Sequence, residues 1–278
     1  CGLALTLPCV SLLSTVGTLT GVGAAARIST SISLGNRSLA CRILGNATVL
    51  NILLSTILIV YSLYHLDFIL DILGGSGQTI PYARKYMSIL IPASLLTNLN
   101  FTYCHAIRAS GFSRKSMTIV FAGVIANIIL DPIFIFGFGL GIEGAAIATA
   151  LSMCISSVLV IRHFRSPSNI LKLQSKCFSP RFPILVSIVG IGMAAFIMNI
   201  TTGMVNIIMN RYLENNGGDY AIGAFGIISS YSIQVSMLLM GICQGMQSVI
   251  GYFYAAGHRQ MTLHILRKAI RTGSLIAS

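Results

Sequence analysis

Six carboxylates occur in this 278-residue chain, and five of them (Asp67, Asp71, Glu143, Glu214 and Asp219) fall between apolar runs. The sixth, Asp131, lies inside the run VFAGVIANIILDPIFIFGF. An ionisable group there is costly unless it faces a partner or a watery cavity, so it reads first as functional. The competing reading is structural: Pro132 breaks the helix, and the carboxylate satisfies the backbone donors this frees. Asn127 precedes Asp131 by four residues and shares its helix face one turn away. The Gly-rich turn GFGLGIEG then makes the flanking runs an antiparallel hairpin, with Asp131 and Thr149 equidistant from residue 140. At ~1.5 Å per residue both lie about 13 Å below the turn, near mid-bilayer. A carboxylate, an amide oxygen and a hydroxyl at one depth suit a proton or a small hard cation such as sodium. Thr149 alone reads equally well as a hydroxyl bonded to its own helix.

Other groups carry less chemistry. His105 and Cys104 share an apolar run with Asn98 and Asn100, so Asn100, Cys104 and His105 are candidates to line a cavity; a satisfied buried imidazole explains His105 as well. The carboxy-terminal part offers Asn199, Asn206, Gln234, Gln244 and Gln247, amides of the kind that hold helices together in lipid. The seven cysteines form no CxxC pair, and no metal site is expected from them. DDxxD, HExxH, Walker and GxSxG motifs are all absent, so the expectation is no enzyme and no cofactor beyond a coupling ion.

The elements that position these residues are apolar and long. With 55% hydrophobic and 9% charged residues, and a mean hydropathy of +0.84, the chain is not a soluble globule. Apolar runs near 3–33, 46–64, 84–108, 117–138, 144–161, 182–210 and 220–255, with another starting near 270, read as membrane spans. The net charge of +12 is spread between these runs, which excludes a nucleic-acid patch and reports orientation instead. Odd loops hold Arg37 and Arg42; Arg114 and Lys115; Arg162, Arg165, Lys172, Lys176 and Arg181; and Arg259, Arg267 and Lys268. Even loops hold the five carboxylates with Arg211, so the odd loops are expected in the cytoplasm. Arg84 and Lys85, beside an even loop, are the exception and read as an interfacial start to the third span.

The chain begins with Cys1 and contains an internal repeat, which together read as the middle of a longer protein. A shift of 222 residues aligns Gly23, Ile28, Gly35, Arg37, Ile43, Leu44 and Ala47 with Gly245, Ile250, Gly257, Arg259, Ile265, Leu266 and Ala269. Both copies follow an outward-to-inward span, so the repeat is parallel, as in transporters that rock two bundles about a central site. The expected fold is an all-α polytopic membrane protein: a two-lobe parallel-repeat bundle of six helices per lobe, here incomplete, with about seven full spans and the start of an eighth. The amino-terminal lobe covers 1–165, a basic cytoplasmic linker 166–181 and the start of the carboxy-terminal lobe 182–278.

The stretch NIILDPIFIFGFGLGIEGAAIATALS (127–152) resembles the fifth-to-sixth helix signature of the multidrug and toxic compound extrusion (MATE) transporters. STSISLGNRSLACRILGNA (29–47) is similar to the end of that family's second helix and its following loop, and AIRASG (106–111) to the end of its fourth. The resemblance implies that the first helix and most of helices nine to twelve lie outside this sequence. It further implies an antiporter of a bacterial inner membrane that expels cationic amphipathic drugs in exchange for H+ or Na+ by alternating access, working as a monomer in the lipid bilayer. The family's cation site matches at Asn127, Asp131 and Thr149, whereas an Asn usual in its fourth helix is Cys104 here. The alternative is a lipid-linked oligosaccharide flippase of the same superfamily, whose pyrophosphate substrate would call for cavity cations; the spans offer Arg27 and Arg108.

Overall fold

A computed structural model describes residues 2–72, 80–166, 169, 171 and 175–277. Cys1 and Lys172 lie outside them, as do the side chains of Asp71, Lys176, Asn206, Arg211, Glu214 and Asp219. The described residues form helices and no strands: α1 (Gly2–Ser33), α2 (Arg37–Tyr64), α3 (Leu66–Ile72), α4 (Ile80–Ala109), α5 (Ser113–Pro132), α6 (Gly141–Arg165), α7 (Phe182–Ala255) and α8 (Arg259–Ala277). A π-helical turn, Ile133–Gly137, extends α5, and a 3₁₀ turn, Ser175–Phe178, precedes α7. The apolar runs become helices because a bilayer leaves backbone groups no partner but their own helix. Among the described residues, five helices or helix segments are long and apolar enough to cross a membrane: 37–64, 113–137, 141–165, 182–202 and 234–254.

Three differences from the sequence reading stand out. The short helix α3 was not foreseen, because seven residues carry too little periodicity. The last helix starts at Arg259 rather than near 270, since His258 and Arg259 begin it directly after the Gly257 turn. The runs 182–210 and 220–255, expected as separate helices, are helical without a gap over the 74 residues of α7.

That segment nonetheless doubles back. Its early part packs on α1, with Gly23 against the Ile188 carbonyl and Gly192 against that of Leu19. Its end meets the same helix, where the Ser33 hydroxyl donates to the Tyr252 carbonyl at 2.8 Å and Gly251 lies against Ser29. Ile188 and Tyr252 would stand about 96 Å apart on a straight helix, against about 15 Å between Gly23 and Ser33 on α1. Both ends of α7 therefore lie at the end of the molecule where α1 terminates.

The helix-to-helix turns at that end share one geometry. Gly35, Gly111 and Gly257 adopt φ of 74°, 89° and 79°, a left-handed conformation in which a side chain is strained. Each terminates a helix with a six-residue hydrogen bond, Asn36 to Ser31, Phe112 to Ile107 and His258 to Phe253, donor first. The first and third turns are 222 residues apart, the shift of the sequence repeat.

Charge separates the two ends. Asn46 of α2 donates to the Ser179 carbonyl and accepts from the Arg181 amide, and Phe112 meets the His163 ring edge to face, so the odd loops gather at one end. At the other end Arg84 pairs with Asp67, and Lys85 with Glu143 at 2.7 Å. The two bases that break the charge alternation are thus matched by acids of the loops beside them.

Candidate functional site

The hairpin of α5 and α6 turns at Gly139 and Gly141, with φ of 67° and 54°. Gly144, in the first turn of α6, packs against the Phe134 carbonyl, where any side chain would collide. This tight closure puts residues equidistant from the turn at one depth. Asn127 Nδ2 donates to Asp131 Oδ1 at 3.2 Å and to Thr149 Oγ1 at 3.4 Å, bringing the three sequence-predicted residues together. The Thr149 hydroxyl in turn donates to the Ala145 carbonyl at 2.9 Å, the bond to its own helix that the alternative reading describes.

Asp131 does not sit at a broken helix end. Pro132 lacks the donor for the next α-type bond, and the chain widens into a π turn in which the Phe138 amide donates to the Ile133 carbonyl at 3.0 Å. The half-buried carboxylate accepts one hydrogen bond, from Asn127, and pairs with no cation among the described residues. Tyr86 of α4 lies within electrostatic reach of it and was not foreseen. Asp131 and Thr149 present oxygens on either side of the Asn127 amide, whose Nδ2 is turned toward both, and oxygen donors are the chemistry of a proton or a hard cation.

Asn127 and Thr149 also line a cavity of about 360 Å³ between α4, α5, α6 and the returning part of α7. Asn100 and Cys104 lie on its wall; His105 does not, being turned toward Gly21 of α1. The reason is helical phase: residues 97, 100, 101, 104 and 108 share one face of α4, and position 105 lies at its flank, where α1 covers it. Asn100 is also a brace, donating to the Met153 carbonyl at 3.0 Å and accepting from Ser157 at 3.2 Å. Arg108, one of the two span cations named from the sequence, is on the wall, and so are Gln244 and Gly123, which were not foreseen there; Gly123 brings α5 against Ser156 of α6. Every fourth residue from Asn100 gives Cys104 and Arg108, so the face was present in the sequence once one member was fixed.

A bundle of long apolar helices around an apolar-walled cavity defines an all-α polytopic membrane protein. The chain belongs to the MatE family, whose model matches residues 1–133 and 194–278. It is 32% identical over 259 residues to the multidrug export protein MepA of Staphylococcus aureus (strain NCTC 8325 / PS 47), covering 93% of this chain and 57% of that protein. MepA of Staphylococcus saprophyticus is 29% identical over 270 residues, covering 97% of this chain and 59% of that one. The chain therefore spans a little over half the length of these relatives. A MOP superfamily transporter from Pyrococcus furiosus, described as having a binding pocket of reverse polarity, superposes with a TM-score of 0.92 at 22% identity over 99% of this chain and 61% of its own. An outward-facing multidrug resistance MATE transporter superposes at 0.90 with the same identity and coverage. These likenesses establish the fold.

Proposed function

We propose that the chain forms the ion-coupling part of a multidrug efflux transporter, one that exchanges cationic amphipathic compounds for H+ or Na+ across a bacterial inner membrane. The observation that carries this reading is the bridge from Asn127 to both Asp131 and Thr149 on the edge of the cavity. Residues 1–165 and 182–278 then belong to two lobes joined by a basic linker. A ligand shifts a two-state equilibrium only by its differential affinity, so the ion at Asp131 must favour one facing of the cavity over the other. The contacts of Ser33 with Tyr252 and of Ser29 with Gly251 close the basic end between the lobes and have to part when the cavity turns that way.

Drug efflux from proteoliposomes containing the native gene product, under imposed proton or sodium gradients, tests the reading. Asp131→Asn keeps the shape and removes the titratable group, so gradient-driven efflux should vanish. Pumping by this variant at the parental rate under both gradients would refute the assignment. For the flippase alternative, Arg27 is exposed on α1 and off the cavity wall, which leaves Arg108 alone to meet a pyrophosphate. Transport of a lipid-linked pyrophosphate in place of a cationic dye would favour it.

A further inference from the structure

We propose that the basic end of α6 holds an anionic phospholipid of the surrounding bilayer, with its phosphate between Arg162 and Arg165 and an acyl chain in the groove beneath them. Val158, Ile161, Arg162 and Arg165 line a groove of about 370 Å³. Their spacing of three, four and seven residues sets them on one face of the helix. At ~3.6 residues per turn, that face lies on the far side of α6 from Thr149, Ser152, Met153 and Ser156, which line the cavity. The groove therefore opens outward, where a spanning helix meets lipid.

Charge and length both fit such a lipid. Arg162 and Arg165 are exposed, and among the described residues no carboxylate pairs with either. The basic loops contain no Asp or Glu, so the counter-charge has to come from outside them. A guanidinium takes two phosphate oxygens through its planar fork, and two guanidiniums a turn apart hold one phosphate from both sides. Below them the exposed side chains of Leu151, Ile155, Val158 and Ile161 continue the same face. That stripe runs for about 15 Å, half of a ~30 Å hydrocarbon core and so the depth of one leaflet. The helix end is also fixed in place. Phe164 is buried and meets the Tyr103 ring edge to face, and the His163 carbonyl accepts from the Ser166 amide at 3.1 Å and from Asn169 Nδ2 at 3.2 Å. Bases at a helix end need no ligand by themselves; here they crown a continuous apolar groove on a rigid turn.

Lipid quenching tests this. Ile155→Trp places a fluorophore on the stripe one turn below the groove, and its emission is read as the difference from the native gene product without it. In phosphatidylcholine nanodiscs doped with a chain-brominated lipid, half-maximal quenching should need a roughly tenfold lower mole fraction of brominated phosphatidylglycerol than of brominated phosphatidylcholine. Adding Arg162→Gln and Arg165→Gln should bring that ratio to about one. Arg37→Gln with Arg259→Gln removes the same charge at the same end of the molecule, away from the groove, and should leave the ratio as it was. Arg162→Lys with Arg165→Lys keeps the charge and loses the fork, so an intermediate ratio is expected, and this pair serves if the Gln pair does not fold. A parental ratio of one, a preference that survives the Gln pair at 162 and 165, or equal loss in the 37 and 259 pair overturns the proposal, the last by reducing it to a diffuse attraction. An unchanged ratio in the Lys pair overturns the two-sided hold on the phosphate.

Discussion

Two polar clusters lie within the first six helices, one joining α1, α2 and α4 and the other joining α5 and α6, and they differ in how fully their groups are paired. In the first, Asn98 Nδ2 donates to the Leu13 carbonyl and to Ser55, while its Oδ1 accepts from the Gly17 amide. Asn51 Nδ2 reaches Thr20, Thr102 and the Asn98 carbonyl at 2.8–3.1 Å, and its Oδ1 accepts from Ser55. Asn51, Asn98, Thr20, Thr102 and Ser55 are all buried, and none is ionisable. In the second cluster a carboxylate accepts one hydrogen bond, on Oδ1, behind the Asn127 and Thr149 that line the cavity. Saturated neutral groups hold helices together; an unsaturated ionisable one has capacity left for a ligand.

Exchanging a single group in each cluster gives the sharpest contrast. Asp131→Asn should abolish gradient-driven efflux, the largest effect anywhere in the chain, yet leave the apparent melting temperature in detergent within a degree or two of the parent. Asn98→Ala should do the opposite. It removes the side-chain acceptor of the Gly17 amide and the donor to the Leu13 carbonyl and Ser55, so about 2 kcal/mol of stability is expected to go, seen as a lower melting temperature and less folded protein. The ion dependence of whatever protein folds should be unchanged. Loss of stability in the first variant, or altered ion dependence in the second, would erase the distinction between the clusters.

The same comparison predicts where the molecule yields. Gly251 faces Ser29 so closely that a Cβ would stand 2.8 Å from its hydroxyl. On the transporter reading the two belong to helices whose contact opens and closes, whereas the Asn98 cluster joins helices of one lobe. Gly251→Val should therefore part the basic end without unfolding the protein. A cysteine placed at Ser33 should label several-fold faster from the cytoplasmic side in this variant; equal labelling would show that the contact is not a closure.

Much of this arrangement was legible before any coordinates. Apolar runs of span length mark α2, α5 and α6 because lipid demands both length and hydropathy, and the helices α1 and α4 also follow the apolar runs 3–33 and 84–108. The neighbourhood of Asn127, Asp131 and Thr149 follows from a four-residue spacing and a glycine turn, both local features. The Asn98 cluster was not legible as a cluster: the hydrogen bonds between its helices join residues 31 to 85 positions apart, and no local pattern shows which buried amides will meet. His105 and Arg108 show a further limit, because three residues along α4 turn one toward α1 and the other into the cavity, and only the neighbouring helices decide which face is which. The reversal of α7 is hidden for a related reason, since it is fixed by contacts with α1 at both of its ends.

The smallest expected effect separates the clusters most finely, because it uses one substitution in both. Thr102 Oγ1 accepts from Asn51 at 2.8 Å, pairs with Thr20 at 2.8 Å and donates to the Asn98 carbonyl at 3.0 Å. Thr149 Oγ1 accepts from Asn127 at 3.4 Å and donates within its own helix. Valine keeps the shape of threonine and removes the hydroxyl. In Thr102→Val the stranded partners are buried with no water to replace the loss, so about 1 kcal/mol of stability should disappear with ion dependence intact. In Thr149→Val the partner Asn127 still bonds Asp131, so stability should hardly move. The coupling ion loses one neutral oxygen, and its half-saturating concentration should rise roughly three- to tenfold. Melting temperature and ion titration of efflux, measured on both variants, give four numbers. Thr149→Val moving the melting temperature as far as Thr102→Val, with no change in the ion titration, would make the α5–α6 cluster a second brace rather than a binding site.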